Sequence, residues 1–561
     1  MKLVNKKPAG IGVVIIMCLS LVFVGFNRDD KMFAINKNLD IFYSLVRELN
    51  VFYVDDFNVN QMMRKGVDEM LKTLDPYTTF IPEDELEDFN FMTTGEYGGV
   101  GAIIGMRKGE VIISEPYQGF PADKAGLHAG DVLVEVAGKS TKGMDVSAMS
   151  ELLKGASNEV VKVKVKRYGE KKTLSFDIMR EKIQIDAVPY YGMLDNNVGY
   201  LRLTSFTAGC GSEIRKIVKE LKEKDGAKSI MLDLRNNPGG LLNEAVTTVS
   251  TFVPKGTKVV FTKSKIEQWD QEYFTTEEPV DTELPVAVLV NRGSASASEI
   301  VSGALQDLDR AIIVGTRTFG KGLVQTTRDL SYNSKLKLTT AKYYVPSGRC
   351  IQALDYSNRN EDGSVGVVPD SLISEFATSK GRKVFDGGGI TPDVKTKMPL
   401  GSSFTYNLVR DYMFFDYATK FYYEHKTIPS AEEFEITDDI YADFGKYIRE
   451  QDFSYESETE KALDKLEKTA KDEKYYDRSK TQFEALRQAV AHELNKDLND
   501  FQDEIKLILR DEIVSRYYYQ KGAIVSSMKN DPVLDRAEGI VCSTDSLTKY
   551  FKPGTVIAKE K

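Results

Sequence analysis

Apolar and polar positions divide the 561-residue chain into five stretches of different periodicity. Residues 9–26 form an apolar run of 18 behind Lys2, Lys6 and Lys7. As a helix the run spans about 27 Å, just short of a ~30 Å hydrocarbon core. It predicts a targeting segment over 1–31. The absence of an A-x-A cleavage site favours a signal anchor over a cleaved signal peptide. The lysines would stay cytoplasmic and the rest would be exported. Residues 32–91 read as short helices, because Phe42, Leu45, Val46 and Leu49, and then Met63, Val67, Met70 and Leu71, recur at helical spacing.

Residues 92–182 change character. A glycine-rich "GEYGGVGAIIG" precedes the strand "EVIISE", a helix carries Val146, Met149, Leu152 and Leu153 on one face, and "VVKVKVKR" alternates with period two. This predicts a small α+β or partly open barrel module. Residues 183–395 alternate helices with continuous apolar strands, "SIMLDLR", "LPVAVLVN" and "AIIVG", the pattern of an α/β layer buried on both faces. Residues 396–561 are helical in period and rich in Tyr, Phe, Lys and Glu. The stretch "ETEKALDKLEKTAKDEKYYDRSK" reads as a solvated helix, and Tyr412, Phe414, Phe415, Phe421 and Tyr422 read as core.

Composition narrows the chemistry. A net charge of −9 makes nucleic acid a poor partner. There are only three histidines, His128, His425 and His492, and none lies in 183–395. A histidine base or histidine metal cluster has little to work with. The four cysteines, Cys18, Cys210, Cys350 and Cys542, form no CxxC pair, which argues against a zinc knuckle or thioredoxin-like site. A Cys210–Cys350 disulfide stays open.

Three motifs could carry chemistry. Residues 315–322, "GTRTFGKG", nearly spell a phosphate loop of the form G-x-x-x-x-G-K-[ST]. Gly322 stands where the magnesium-binding hydroxyl belongs, and "GLVQTTRDL" reads as extended rather than as a helix start, so nucleotide binding is disfavoured. The same Lys321 lies between Gly320 and Gly322, which let the backbone pack closely. Residues 291–300, "NRGSASASEI", end a buried strand and open a helix, whose N-terminal N–H groups favour developing negative charge. The turn offers Ser294, Ser296 and Ser298, and the pattern does not choose among them. A serine needs a base, and a neutral lysine can replace histidine. A free lysine is only about 0.1% neutral near pH 7.5. Lowering its pKa to about 7 costs on the order of 4–5 kcal/mol, which desolvation can impose. Residues 232–246, "LDLRNNPGGLLNEAV", make a strand, a glycine turn and a helix, in which Gly239 and Gly240 offer N–H groups without side-chain bulk.

"LDLRNNPGG", "GSASASEI" and "GTRTFGKGLVQ", in this order and spacing, resemble the carboxy-terminal processing (tail-specific) serine protease family. "TLDPYTTF" at 73–80, "YYVPSGRCIQ" at 343–352 and "GGGITPDV" at 387–394 are similar to the family's segments too. The resemblance covers about residues 38–396. It implies a multidomain α+β chain with a PDZ domain at 92–182 and a ClpP/crotonase-like α/β protease core at 183–395, behind the helical segment at 32–91; the C-terminal helical domain at 396–561 falls outside the resemblance and rests on its helical period.

The resemblance also implies roles. Ser296 is the nucleophile, Lys321, 25 positions later, the base, and Gln325 the residue that orients it. Ala297 and Gly239 or Gly240 supply the oxyanion hole. In the PDZ domain Gly98, Gly99, Val100 and Gly101 form the carboxylate-binding loop, and Val146, Met149 and Leu153 wall the pocket. His128 is then an exposed or structural turn residue rather than a catalytic one. No metal or organic cofactor is required. The expected activity is an exported endopeptidase, at the periplasmic side of the inner membrane or free in the periplasm. Expected partners are proteins with exposed C-terminal tails and the membrane, with an oligomer or adaptor contact through 396–561. The rival reading is a PDZ scaffold that holds tails without cutting, and the intact Ser296, Lys321 and Gln325 speak against it.

Overall fold

The computed structural model describes residues 10–360, 362–396, 401–451 and 453–557, with the side chains of 10–30, 357, 370 and 544–546 outside the description. The chain falls into two compact units, 1–80 and 81–561. In the first, one helix runs Gly10–Phe52 and a second Val59–Lys72. The short helices expected over 32–91 are therefore one long helix and one short one in this unit, with a further short helix, Leu86–Thr94, at the start of the second. No Gly or Pro interrupts 27–52, so nothing in the sequence stops the first helix. Asn58 caps the second, accepting from the Gln61 N–H at 3.0 Å. The "LDPYTT" turn closes on Asp75, whose carboxylate accepts from the N–H groups of Tyr77 and Thr78, both at 2.8 Å. The side chains of the expected apolar run, 9–26, lie outside the described residues. Among the described residues no helix is long and apolar enough to cross a membrane.

The second unit begins with the glycine-rich module. Its sheet runs Ala102–Arg107, Glu110–Pro116, Val132–Val136, Val160–Lys166, Leu174–Met179, with each strand paired to the next. The period-two reading of "VVKVKVK" is realised: Val161, Val163 and Val165 are buried and the lysines between them exposed. Asp131, fully buried as a side chain, pairs with Arg167 at 2.6 Å and secures the start of the third strand.

The α/β layer is a six-stranded sheet. Tyr190–Leu194 pairs antiparallel to Val198–Arg202, and Ser229–Asp233, Val286–Val290, Ile312–Gly315 and Val394–Lys395 continue in parallel. Ile230 and Leu232 face a core shared with the helices Cys210–Glu223, Leu242–Ser250 and Ala297–Asp307. Met231, Ala287, Leu289, Ile312 and Val314 face the other way, onto Val533, Leu534, Ala537 and Ile540 of the helix Pro532–Val541. A helix from the far end of the chain thus covers the second face. That is why the central strand Val286–Val290 is apolar at every position. Arg235 ties it in place by bonding both Asp233 in the sheet and Asp531 at the N-cap of this helix.

The aromatic C-terminal region packs on Phe404, Phe414, Tyr417, Phe421 and Phe444. Phe414 and Phe421 are core as expected, whereas Tyr412, Phe415 and Tyr422 are only half-buried. The region also grips the glycine-rich module: Tyr412 donates to the Met106 carbonyl at 3.0 Å, Arg107 pairs with Asp416, and Tyr519 donates to Asp123 at 2.6 Å. His128 belongs to this contact, bonding Tyr423 at 3.0 Å, and burial lowers its pKa.

Candidate active site

The three serines of the "GSASASE" turn separate by environment. Ser294 and Ser298 are fully buried. Their hydroxyls donate to the backbone carbonyls of Leu234 (2.7 Å) and Asn237 (2.9 Å). They fasten this turn to the "NNPGG" turn. Ser296 is half-buried and lines a cavity of about 590 Å³ together with Lys321, Gln325, Gly239 and Gly240. Its φ of 54° and ψ of −112° place a non-glycine residue in a rarely occupied region at the mouth of the helix Ala297–Asp307.

Asn237 organises the facing turn. Its amide donates to the Leu203 carbonyl at 2.9 Å, its side-chain oxygen accepts from the Gly239 N–H at 2.9 Å, and its carbonyl accepts from the Ala295 N–H at 3.0 Å. Of the two glycines considered for the oxyanion hole, Gly239 therefore has its N–H engaged. Among the described residues the N–H groups of Gly240 and Ala297 donate to nothing. Gly239 is required for another reason. At φ 102°, a Cβ there would lie 2.7 Å from the Ala295 oxygen and 2.8 Å from the Ser296 Cβ.

Glu299, missed at the sequence level, joins the serine and lysine segments. It is fully buried and accepts from the N–H groups of Ser296 (2.9 Å), Gly320 (2.7 Å) and Lys321 (2.9 Å) and from the Thr318 hydroxyl (2.6 Å). Burial raises its pKa to about 7, while the four hydrogen bonds pull the other way. The available signal was its place three residues into a helix, where a glutamate often bonds back to its N-cap. Tyr343, from "YYVPSG", meets the same two segments from the opposite side, donating to the Lys321 carbonyl and lying 3.1 Å from the Ser296 carbonyl.

Lys321 leads into the strand Leu323–Asp329, in agreement with the argument against a phosphate loop. Gly320 and Gly322 fit against Ala353 and Gln352, where a Cβ would lie 2.4 and 2.8 Å from the nearest atom. Gln325 donates to the Thr339 hydroxyl at 3.2 Å. A register shift between Val324 and Gln325 sets Gln325 opposite Thr339. The remaining motifs are structural. Arg349 bonds Asp307 and Gln306, and Asp393 pairs with Arg382, all at the far end of the serine helix.

Gly98 and Gly99 lie in the strand Glu96–Gly99, opposite Lys182 and Glu181, not in a free loop. They are glycines because a Cβ on Gly98 would sit 2.3 Å from the Gly155 oxygen, and one on Gly99 2.7 Å from the Tyr97 ring. The loop proper is Val100 and Gly101, with φ 74° at Gly101. The Tyr97 phenol oxygen faces the N–H groups of Ala102 and Gly101. Met149 and Leu153 are buried in the module's core, leaving Val146 half-exposed. Cys210, Cys350 and Cys542 are free thiols, so Cys210 and Cys350 are not bridged.

A model described as peptidase family S41 matches residues 197–373, one described as a PDZ domain matches 112–167, and one described as a probable PDZ-protease C-terminal helical domain matches 404–541. A carboxy-terminal-processing protease of Bartonella bacilliformis is 34% identical over 342 residues, covering 60% of this chain and 76% of that protein. A probable CtpA-like serine protease of Staphylococcus aureus is 31% identical over 470 residues, covering 81% of this chain and 90% of its own length. Among solved structures, a photosystem II D1 C-terminal processing protease matches at 30% identity and a TM-score of 0.36, over 63% of this chain and 86% of that one. The chain is a PDZ-containing serine protease and belongs to the carboxy-terminal-processing proteases of peptidase family S41.

Proposed function

We propose that the protein is an exported endopeptidase that takes hold of C-terminal tails through its PDZ domain and cleaves by a Ser296–Lys321 acyl-enzyme mechanism. Ser296 Oγ attacks the scissile carbonyl carbon while Lys321, as the neutral amine, takes the hydroxyl proton. The N–H groups of Gly240 and Ala297 receive the developing oxyanion. The C–N bond then breaks, Lys321 gives its proton to the leaving amine, and water hydrolyses the serine ester. Gln325, held by Thr339, orients the lysine. The observation that carries this reading is the strained Ser296 at a helix start, in one cavity with Lys321 and beside two N–H groups without acceptors.

The N-terminal apolar run supports export to the cell envelope, at the membrane or in the periplasm. Residues outside the core and PDZ domain leave surface for self-association or an adaptor. Ser296→Ala and Lys321→Ala should each abolish cleavage of an unfolded substrate while leaving the circular dichroism spectrum unchanged. A serine-directed phosphonate should label the unsubstituted chain alone. Full activity in either variant would overturn the dyad.

A further inference from the structure

The catalytic cavity holds a second amine that the mechanism does not use. Lys337 lies on the strand Lys335–Tyr344 and lines the same cavity as Ser296, Lys321 and Gln325. It stands directly opposite Thr327, two residues from Thr339, which bonds Gln325. Alternate residues of a strand share a face and are about 7 Å apart. Lys337, Thr339, Thr327 and Gln325 therefore present one surface to the cleft. Among the described residues Lys337 forms no ion pair and no hydrogen bond, whereas Lys335, two positions before it, pairs with Asp329 at 2.5 Å. Burial alone acts on its charge, lowering its pKa, with no carboxylate close enough to oppose the effect.

A half-buried cation without a counter-charge is a cost the fold does not repay internally. The cavity wall beside it is mostly apolar, with Leu241, Leu242, Ile300, Leu323 and Val324. In such surroundings an anion gains more from an amine than it would in water. An extended substrate advances about 3.3 Å per residue, and one cavity is lined by both Ser296 and Lys337, so a single chain lying in it can meet both.

We propose that Lys337 takes a carboxylate of the substrate, an Asp or Glu side chain near the scissile bond or the free end of a short chain, and so sets a preference for acidic sequence at one position of the cleft. The inference rests on the proteolytic reading of the cavity above. It makes Lys337 a specificity residue, not part of the proton-transfer machinery.

The test uses the full chain and quenched fluorescent peptides in which Glu or Gln is placed at each of the positions flanking a neutral cleavage site, each peptide with a free or an amidated C-terminus. At one position, or only with the free C-terminus, the unsubstituted enzyme should prefer the carboxylate by about tenfold in kcat/KM, the range of a hydrogen bond to a charged partner, and through KM. Lys337→Met should lose the preference and keep its rate on the all-neutral peptide. Lys337→Arg should retain it, and Lys337→Glu should invert it toward a lysine-bearing peptide. Dependence on the Glu position identifies a side-chain carboxylate, and dependence on amidation identifies the chain end. Either supports the assignment. If the neutral peptide is cut and no preference changes with residue 337, the inference is overturned. If no peptide is cut by the unsubstituted enzyme, the proteolytic reading fails instead.

Discussion

The carboxylate of Glu299 accepts a hydrogen bond from the backbone N–H of Lys321 at 2.9 Å, although 22 residues separate them. The same carboxylate holds the N–H of Ser296, also at 2.9 Å. One buried group therefore fixes the backbone at both Ser296 and Lys321, before either side chain is considered.

Glu299→Gln keeps the shape of the side chain but turns a donor toward N–H groups that need an acceptor. It should lower kcat on the order of 100-fold, the effect of a displacement near 1 Å at reacting atoms, with the fold retained in circular dichroism. The titration has a defined sign. The folded pKa, about 7, lies above the ordinary value of 4.5. The folded protein thus binds this proton more tightly than the unfolded chain. The contribution to stability is full below about 4.5 and is lost as pH rises through about 7. The Tm difference between wild type and Glu299→Gln should shift across that window, in favour of the wild type at the acid end. A pH-independent difference would remove Glu299 as the titrating group.

Gly239→Ala meets two obstacles at once, a φ of 102° and a Cβ within 3 Å of Ala295, Ser296 and Ala297. The strain should cost roughly 1–3 kcal/mol and displace Ser296, so activity should fall further than stability. Gly256→Ala is the control, with φ 79° but open space around it. It should lose stability alone. Denaturant melts and kcat for both variants check this, and equal activity in the two would refute the close-contact account.

Leu534 is 5% exposed and packs against the sheet from the helix Pro532–Val541. Leu534→Ala should destabilise the protease core by about 2–5 kcal/mol, as measured by urea denaturation. An effect under 1 kcal/mol would mean that the helix is an accessory rather than the second wall of the sheet.

The Tyr97 phenol oxygen faces the N–H groups of Gly101 and Ala102, the donors left for a tail carboxylate once Gly98 and Gly99 are counted in a strand. Tyr97→Phe removes that competing acceptor. Calorimetric titration with an apolar C-terminal peptide should give a Kd several-fold lower than in the wild type. An unchanged or higher Kd would show that the phenol does not compete.

Local pattern determined a good deal. The alternation in "VVKVKVK" fixed a one-sided strand, because side chains in a strand point alternately to opposite faces. Unbroken apolar strands announced a sheet covered on both faces. The missing hydroxyl after Lys321 and the extended run that follows ruled against a phosphate loop. The motifs with their spacing carried the family. Other features depend on contacts between distant segments, which periodicity does not encode. Ser294 and Ser298 are set apart from Ser296 only because the Leu234 and Asn237 carbonyls, about 60 residues away, take their hydroxyls. Asn237 turns the Gly239 N–H away from the cavity and leaves that of Gly240 free. The cover on the sheet's second face comes through Arg235 and Asp531, 296 positions apart. Glu299 reads in sequence as an ordinary third residue of a helix. Tertiary folding buries it where four donors converge from two segments, and only there does its carboxyl group hold the site together.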